Sequence, residues 1–536
     1  MNTDKRSFSV VGNSVARIDG ADKVTGRAKY VADLDVPGMI EGKFLRSPYA
    51  HARIRSIDTA DAESMPGVVA VLTSKDLDDI GHYMGRGKNK DQPIIATGRV
   101  IFAGQPVAAV AALDRSTAEA ALSRIHVDYE ELAAVITADE ATADGAPRLH
   151  DFAEKNICAH HELIKGDVEK GFAEADVIVE DEFEFPMIYH YSMEPHSAVA
   201  QVDSDGITIW TSTGHPFGVR ADVADVFHMP LSKVRVHVNF VGGAYGSKSG
   251  GKIEPLVAAL ARKAKRPVRV VTSVAEAMAT CRRHSLKCKV KTGVKRDGTL
   301  VAKQAEMYLN TGAYAETGPT VTGRTLTRIL GPYRYPNLKI NAYCVYTNTV
   351  SAASFRSIGG PQTSWATESQ MDIIAHKLGI DPVELRRKNL VKKDEELRPG
   401  YKPLDTDLAK GFKLVTDKLG WDGPVSKDGH GRGCGFGTTD PGAPLASTST
   451  VHVLADGSVV FMCGTSELGQ GAKTIMSQII AEELRVPLDR VTIRPIDTAF
   501  TPFDRSTGSS RSTTVMGKAV ELAGGDARRQ IVELAV

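Results

Sequence analysis

A glycine-rich stretch at residues 242–253, GGAYGSKSGGKI, has the spacing of a phosphate-binding loop. Gly246, Gly251 and Lys252 match the start of the motif G-x-x-x-x-G-K, between a strand-like run (KVRVHVN) and a helix-like run (EPLVAALARKAK). Ile253 occupies the position where a serine or threonine would bind magnesium, and the next strand-like run, RPVRVVTS, lacks a terminal aspartate. These residues argue against a nucleotide triphosphatase and leave a loop whose glycine backbone suits an anionic cofactor.

Four further stretches contain residue types that contact cofactors or ligate metals. They are MEPH at 193–196, FRSIGGPQ at 355–362, SELGQGAKT at 466–474 and STGSSRSTT at 506–514. Glycines admit a ligand close to the backbone, arginine donates a fork of hydrogen bonds, and hydroxyl groups before a helix suit a phosphate. Glu194 and His196 are of metal-ligating types, but their position beside an aromatic strand favours a structural role in a packed core.

Taken together, these stretches resemble motifs of the large, molybdenum-binding subunit of the xanthine oxidase family of molybdenum hydroxylases, in family order. The family includes aldehyde oxidases, xanthine dehydrogenases and the alpha subunit of 4-hydroxybenzoyl-CoA reductase. The segment DKVTGRAKYVADLDVPGMIEGKFLRSPYAHARI, at 22–54, is similar to the family's N-terminal hammerhead domain. The resemblance implies a mixed α/β (α+β) multidomain fold, with an α/β hammerhead followed by two related molybdopterin-binding domains, the second incomplete.

The resemblance also implies roles for individual residues. GAYG resembles the family loop beside the molybdenum, with Tyr245 where phenylalanine is usual and Gly246 offering its backbone. Arg356 resembles the active-site arginine, whose forked donors stabilise oxyanion charge on the substrate. Ser357 follows where copper-containing carbon monoxide dehydrogenases carry cysteine, which argues against carbon monoxide as the substrate. Arg356 and Tyr245 are therefore the predicted catalytic residues.

The implied cofactor is a molybdopterin, expected in its cytosine dinucleotide form, whose dithiolene sulfurs hold the molybdenum. No side chain is therefore predicted as a metal ligand, and the backbone of Tyr245 and Gly246 is predicted to lie nearest the metal. Gln470 resembles the family glutamine whose amide contacts the cofactor. The predicted cofactor-binding residues are Gly242, Gly243, Tyr245, Gly246, Arg356, Gly469, Gln470, Gly471, Ser509, Ser510 and Ser512.

By this resemblance, the chain is expected to be the molybdenum-binding subunit of an oxidoreductase. The expected reaction hydroxylates an aromatic N-heterocycle or an aldehyde, with water as the oxygen donor. Electrons would leave through a small iron–sulfur subunit carrying 2Fe-2S clusters and a medium subunit carrying FAD. Two alternatives stay open: reductive dehydroxylation of the 4-hydroxybenzoyl-CoA reductase type, and a non-catalytic scaffold that binds the cofactor.

The family's catalytic base, a glutamate late in the second cofactor-binding domain, has no match in this chain. Glu521 and Glu533 come too early, on a predicted surface helix. Three explanations stay open: a fragment, a split subunit completed by a separate chain, and a degenerate relative. We expect the chain to be inactive alone.

Composition excludes several other classes of protein. The 536 residues carry 66 basic and 65 acidic side chains, so a net charge of +1 gives no signal for nucleic acid or an anionic membrane. The six cysteines form no C-x-x-C pairs, so thiolate-held zinc or iron–sulfur clusters are not expected. The N-terminal stretch MNTDKRSFSVVGNS has no apolar signal-peptide core and the chain has no long apolar run, which predicts a cytoplasmic protein.

Two segments of the chain share one pattern, which predicts a duplicated strand–helix–strand unit. Each starts with a D-G turn, at 205–206 and at 456–457, and continues through a strand, a glycine-containing loop, a helix, P-L-[SD]-[KR]-V and another strand. Such a duplication predicts that the two glycine loops face each other across a shared cleft.

The predicted domain boundaries follow from this organisation. They are 15–140 for the hammerhead, 155–392 for the first molybdopterin-binding domain, 393–430 for a linker, and 431–536 for the N-terminal part of the second. Ser116 and Glu119 have the spacing of a capping box, and Asp381 with Pro382 predicts the start of another helix.

Overall fold

The computed structural model of the chain describes residues 8–84, 90–398, 400–423, 428–439 and 446–536. Residues 1–7 of the N-terminal stretch discussed above lie outside this description. The described residues form two compact units: unit 1 contains those that fall within Met1–Ala133, Tyr189–Arg282 and Asp440–Val536, and unit 2 those within Ala134–Ile188 and Arg283–Thr439. The predicted domain boundaries stay a prediction.

The helices and strands are named in chain order. The helices are α1 (Gly20–Val24), α2 (Ala60–Glu63), α3 (Arg115–Leu122), α4 (Ala138–Thr142), α5 (Val168–Ala173), α6 (Pro216–Val226), α7 (Glu254–Ala264), α8 (Val274–Met278), α9 (Gly318–Arg328), α10 (Gly360–Leu378), α11 (Pro382–Asn389), α12 (Leu408–Leu419), α13 (Ala472–Leu484) and α14 (Gly517–Ala535). The strands are β1 (Ile40–Arg46), β2 (Ala52–Asp58), β3 (Val68–Leu72), β4 (Tyr83–Met84), β5 (Gln92–Pro93), β6 (Arg99–Val100), β7 (Pro106–Ala112), β8 (His126–Glu131), β9 (Ile157–Lys165), β10 (Val177–Phe185), β11 (Ser197–Asp203), β12 (Gly206–Thr211), β13 (Val234–Val238), β14 (Val268–Val271), β15 (Ser285–Val294), β16 (Leu300–Gly312), β17 (Asn337–Tyr346), β18 (Ser449–Val453), β19 (Val459–Cys463), β20 (Val491–Ile493) and β21 (Ile496–Asp497). None of the helices in the described ranges is long and apolar enough to cross a membrane.

Unit 1 is organised around a mixed eight-stranded sheet in the order β21-β13-β12-β11-β14-β1-β7-β3. Helix α7 packs against this sheet and is buried along nearly all of its length, as its alanine and leucine content predicts. The helix lies so close to the sheet that a side chain at Gly42 in β1 would meet Leu260 of α7 at 3.1 Å, and Val268 and Val270 of β14 at 2.8 Å. Close packing of this helix against the sheet therefore fixes the position at which the loop before α7 ends.

The duplicated strand–helix–strand unit is confirmed, and both copies lie in unit 1. In the first copy, β12 is followed by α6 and then pairs with β13 in parallel; in the second, β19 is followed by α13 and pairs in parallel with β20. An antiparallel strand precedes each copy, β11 before β12 and β18 before β19. Loops that follow equivalent strands of such units lie at the carboxyl ends of those strands, where ligands commonly bind.

One of the two predicted helix caps is confirmed. Asp381 caps α11, since its side chain accepts hydrogen bonds from the amides of Val383 and Glu384 with Pro382 in the first turn. The capping box at Ser116 was wrong, because α3 begins earlier and Asp114 accepts the hydrogen bond from the amide of Thr117. The hydroxyl of Ser116 itself donates to Asp114 at 2.5 Å, so the aspartate is the capping residue.

Unit 2 contains a five-stranded sheet in the order β10-β15-β16-β17-β9, covered by an apolar core that includes α10 and α11. Arg386 of α11 is fully buried and pairs at 2.7 Å with both Glu368 and Asp372 of α10, which joins the two helices. Helix α12 lies within the stretch predicted as a linker and contributes Phe412 to this core.

The D-G turns of the two copies provide a matched test of backbone packing. Gly206 has a φ of +138°, and a Cβ there would lie 2.1 Å from the carbonyl oxygen of Lys233, whereas Gly457 has a φ of +78° with open space around it. We expect Gly206→Ala to lower the free energy of unfolding by more than about 2 kcal/mol, because strain and overpacking add. Gly457→Ala should lower the free energy of unfolding by only about 1 kcal/mol, because it adds only the strain of a left-handed backbone. Thermal melts of the two variants check this; equal melting temperatures would contradict it.

Candidate cofactor-binding site

Three of the predicted motifs meet within unit 1 around Gly214, in the loop between β12 and α6. The amide of Gly214 donates to the carbonyl of Lys248 at 3.0 Å, and its carbonyl accepts from the amide of Thr507 at 2.8 Å. A side chain at Gly214 would meet Leu468 at 3.4 Å. The amide of Ser466 donates to Thr507 Oγ1 at 2.7 Å. We call the assembled segments 212–215, 240–249, 464–471 and 504–510 the loop cluster; it joins loops of both copies, and the shared cleft between them stays a prediction.

Glu194 of the MEPH motif binds the glycine loop of the loop cluster through both its carboxylate and its amide. Its carboxylate accepts from the amide of Gly242 at 2.8 Å and pairs with Lys248 at 3.1 Å, while its own amide donates to the carbonyl of Gly242 at 3.0 Å. Burial lowers the pKa of Lys248, and the charge of the adjacent Glu194 opposes this shift. The last residue of this motif, His196, lies 3.4 Å from the carbonyl of Ser247 through Nε2. Both side chains therefore brace the glycine loop.

The amides just before α7, which a phosphate-binding loop would present to its ligand, are occupied by carboxylates of the protein. Glu254 is buried and accepts from the amides of Lys252 at 2.6 Å and Ile253 at 3.0 Å, and Asp222 accepts from the amide of Gly251 at 2.7 Å. The amides of residues 251–253 are therefore satisfied by the protein itself, and the contact of the glycine loop with an anionic cofactor stays a prediction.

Glu467 has the same function in the second copy, where it organises the glycine loop before α13. Its buried carboxylate accepts from the amides of Gly469 at 2.9 Å, Gly471 at 3.1 Å and Lys473 at 3.1 Å. Arg17 pairs with Glu467 at 3.1 Å and donates to the carbonyl of Gly469 at 2.8 Å. Glu467 lies within the predicted motif SELGQG. Its partner Arg17 is 450 residues away along the chain, and no local pattern in the sequence indicates such a pair.

The outer side of the same loop is open. Gly469 and Gly471 have φ values of +108° and +90°, and a Cβ at either position would meet no atom within 4 Å. Gln470 folds back within the loop, donating to the carbonyl of Ser466 at 2.9 Å and accepting from the amide of Leu468 at 2.6 Å. Ser466 Oγ is buried and has no hydrogen-bond partner among the described residues. Open glycine backbone beside an orphaned buried hydroxyl fits a polar ligand at this loop.

The serine-rich stretch is held by a buried arginine and presents its serines to solvent. Arg511 is 1% exposed and pairs with Asp504 at 2.6 Å, and it also donates to Ser447 Oγ at 2.8 Å. Ser509 and Ser510 are exposed, with φ values of +53° and +54°. A π-helical turn at Ser512–Met516 then leads into α14, so the predicted helix after this motif is confirmed.

Tyr245 adopts a strained backbone conformation at the tip of its loop. Its φ is +53°, an uncommon value for a residue with a bulky side chain, and its side chain is 44% exposed. The ring covers Gly243, where a Cβ would lie 3.1 Å from the ring edge. Strain of this kind is common at functional sites, and the predicted catalytic role of Tyr245 stays a prediction.

Arg356 belongs to unit 2, unlike the other predicted site residues. It lies exposed on the turn before α10, between Phe355 and Ser357, whose φ is +68°. Glu521 and Glu533 both lie on α14, where each pairs with a basic residue of the same helix, Lys518 and Arg529. The expectation of a surface helix at these glutamates agrees with that placement.

Three family models match the chain. The model described as aldehyde oxidase and xanthine dehydrogenase, a/b hammerhead domain, matches residues 25–133, and the molybdopterin cofactor-binding domain matches residues 149–390 and 423–536. A probable xanthine dehydrogenase subunit of Bacillus subtilis is 36% identical over 95% of this chain and 69% of the relative. The chain belongs to the xanthine oxidase family of molybdenum-binding subunits. The nicotinate dehydrogenase large molybdopterin subunit of Eubacterium barkeri is 34% identical over 74% of this chain and 92% of the relative.

Solved structures of the xanthine oxidase family agree with this assignment. The aldehyde oxidoreductase of Desulfovibrio gigas matches with a TM-score of 0.88 and 29% identity over 96% of this chain, and the quinoline 2-oxidoreductase of Pseudomonas putida 86 matches with a TM-score of 0.89 and 26% identity over 98%. This chain spans 59% of the length of the former and 71% of the latter. The predicted mixed α/β fold, with a hammerhead and two related molybdopterin-binding domains, is confirmed.

As a member of this family of oxidoreductases, the chain is a molybdopterin-binding subunit. The relatives do not bear out the expectation that the chain is inactive alone. The open backbone at Gly469 and Gly471, the unpartnered hydroxyl of Ser466 and the exposed serines 509 and 510 fit a ligand as polar as a pterin.

The pH dependence of stability tests the structural role of His196. Burial, followed by the charges of Lys248 and Lys252, lowers the pKa of His196 to about 3 from 6.5. Above pH 6.5 the folded and unfolded chains both hold it neutral; below that pH only the unfolded chain takes up the proton, so stability falls as the pH falls towards 3. We expect the titration of His196 to lower the free energy of unfolding by about 2 kcal/mol between about pH 7 and about pH 5.

His196→Gln removes this titration, so its melting temperature should fall less than that of the unsubstituted chain between about pH 7 and about pH 5. His452→Gln, at an exposed histidine of β18 in the same unit, serves as the control and should leave the pH dependence unchanged. An unaltered pH dependence in His196→Gln would show that the residue is not held neutral.

Proposed function

We propose that this chain is the molybdenum cofactor-binding subunit of an oxidoreductase that hydroxylates an aromatic N-heterocycle or an aldehyde, with water as the oxygen donor. The observation that carries the proposal is the loop cluster, in which glycine loops from both copies and the serine-rich stretch meet around Gly214. Two relatives and one solved neighbour are named for nicotinate or quinoline, and another neighbour is an aldehyde oxidoreductase. These names support the two substrate classes.

In this proposal, the loop cluster holds molybdopterin in its cytosine dinucleotide form. When bound, the cofactor supplies a metal centre that accepts electrons and activates water. Gly469 and Gly471 would let the pterin come close to the loop that carries Gln470, and Gly242, Gly243 and Gly246 would let it come close to the facing loop. Ser509, Ser510 and Ser512 would donate hydrogen bonds to the pterin and its phosphate.

Two side chains are proposed to act on the substrate. The guanidinium of Arg356 is exposed and forms no ion pair within the described part of the chain, so its five donors are available to stabilise oxyanion charge that develops on the substrate. The exposed ring of Tyr245 would pack against an aromatic or aldehyde substrate, with its hydroxyl facing substrate or solvent. Both roles concern positioning and charge, which the protein must supply because the redox chemistry belongs to the cofactor.

We also propose that electrons leave through an iron–sulfur small subunit with 2Fe-2S clusters and a medium subunit with FAD. The relatives support this, since several are named as subunits or as part of a complex. A cytoplasmic location stays a prediction.

Metal and pterin content test the cofactor assignment. We expect the chain, purified with the products of its neighbouring genes, to contain molybdenum near one atom per complex together with a pterin. Gly469→Val should lower the molybdenum content severalfold, because it places a side chain in the open space of the loop. Gly457→Val is the matched control, since it has a similar positive φ and open surroundings on a turn outside the loop cluster. A well-folded complex without molybdenum would overturn the proposal.

The role of Arg356 is tested by substitution in the molybdenum-loaded complex. Arg356→Ala should leave the molybdenum content unchanged and lower kcat by about 100-fold, the usual cost of removing a donor to an oxyanion. Arg356→Lys keeps the charge without the forked donors and should recover only part of the loss. Turnover of quinoline and of benzaldehyde with a dye as electron acceptor measures both. Loss of molybdenum in Arg356→Ala would instead place this residue at the cofactor.

A further inference from the structure

The turn that carries Arg356 is unusually constrained. Ser357 and Gly359 have φ values of +68° and +73°, so two of three consecutive backbones adopt the left-handed conformation. The amide of Gly360, the first residue of α10, donates to the carbonyl of Ser357 at 2.6 Å. A left-handed conformation costs a serine about 1 kcal/mol or more, so other contacts must maintain this turn.

Arg328, the last residue of α9, provides one set of these contacts. Its side chain is almost fully buried, and Nη1 donates to the carbonyl of Ser357 at 2.7 Å and to the carbonyl of Ile358. Nη2 reaches Thr439 Oγ1 at 3.3 Å. One guanidinium therefore fixes two successive peptide groups directly after Arg356.

Arg283 provides the other set, on the preceding side of the turn. Its guanidinium carbon lies 3.9 Å from the centre of the Phe355 ring and 5.8 Å from that of Phe185, and Nη2 donates to the carbonyl of Arg356 at 3.4 Å. The residue is 8% exposed, and among the described residues no carboxylate pairs with it. Burial lowers the pKa of Arg283, but an arginine stays charged even so.

A buried cation without a carboxylate partner is costly, and here its charge is directed at aromatic faces and a carbonyl oxygen. The contacts of Arg283 and Arg328 cover three successive carbonyls, those of residues 356, 357 and 358. A peptide group held through its oxygen cannot rotate without breaking these bonds. The backbone of Arg356 is therefore held in one orientation, although its own side chain is exposed.

We infer that Arg283 is a positioning residue for Arg356: it stacks on Phe355 and holds the carbonyl of Arg356, so that the Arg356 guanidinium is presented in a fixed direction. This inference rests on the proposed role of Arg356 in stabilising charge on the substrate. Arg283 itself is buried and acts through the turn. Preorganised donors stabilise a transition state without reorganisation at the moment of reaction, so a loosened turn costs rate more than substrate affinity.

The first test replaces Arg283 in the molybdenum-loaded complex. Arg283→Met keeps an unbranched buried side chain but removes the charge and the planar stack. We expect kcat for quinoline or benzaldehyde to fall about 10-fold to 100-fold, with KM changed less than about threefold and molybdenum content unchanged. Arg283→Lys keeps the charge but cannot stack flat or donate a fork, so it should recover part of the loss.

The second test separates positioning from general damage by adding the same substitutions to Arg356→Ala. With no guanidinium left to position, Arg283→Met should lower kcat by less than about twofold further. Arg334→Met is the matched control: Arg334 is a half-buried arginine of unit 2 that donates to a backbone carbonyl, that of Lys388 at 2.9 Å, away from this turn. It should change kcat by less than about twofold in both backgrounds.

The outcomes distinguish the positioning role from the proposed function. Unchanged kcat in Arg283→Met, with Arg356→Ala impaired, overturns the positioning role and leaves the proposed function standing. An equal further loss in the Arg356→Ala background also overturns it, because the damage would then be general. Full turnover in Arg356→Ala overturns the role of Arg356 itself. If Arg283→Met does not fold, Arg283→Lys is measured in both backgrounds, and a loss confined to the background with Arg356 present supports the inference.

Discussion

Hydrogen bonds from backbone amides to buried or half-buried carboxylates are the interactions on which the loops of unit 1 depend. Glu194, Glu254 and Glu467 each bind amides beside glycines, at Gly242, at residues 252 and 253, and at Gly469 and Gly471. A glycine-rich segment has many accessible conformations, and ordering it costs more entropy than ordering any other sequence. A buried charge satisfied by several amides is strong enough to select one conformation. The loops are therefore shaped before a ligand arrives, which reduces the cost of binding.

The same carboxylates decide which amides remain for a ligand. In a nucleotide-binding loop, the amides at the start of the helix face a phosphate; here Glu254 and Asp222 occupy those before α7. Glu467 likewise takes the amides of Gly469 and Gly471, but the space beside these two glycines is open, as are the exposed serines 509 and 510. The likeness of GGAYGSKSGGK to a phosphate-binding motif thus reflects a shared need for tight glycine turns.

A second kind of control fixes the turn around Arg356 in unit 2. There, cations rather than anions hold the backbone, because the groups to be satisfied are carbonyl oxygens instead of amide hydrogens. In both units a loop held by charged side chains contains a residue with a positive φ: Tyr245 in the loop that Glu194 binds at Gly242, and Ser357 in the turn that Arg328 binds. Strain at these positions is tolerated because the surrounding contacts determine the backbone more strongly than local preference does.

The sequence by itself determined the features that depend on neighbours along the chain. The repeated D-G turn, glycine loop and P-L-[SD]-[KR]-V pattern indicated two strand–helix–strand units, and the order of the motifs indicated the family. The cap at Asp381 followed from local hydrogen bonding, whereas the predicted cap at Ser116 failed because α3 begins earlier, with Asp114 accepting from the amide of Thr117. Only the tertiary structure decided which distant groups meet: Arg17 at Glu467, Asp222 at Gly251, and Arg283 at the turn of Arg356. Such pairs leave no periodicity or spacing in the chain, because they depend on where packed helices and strands bring side chains together in space.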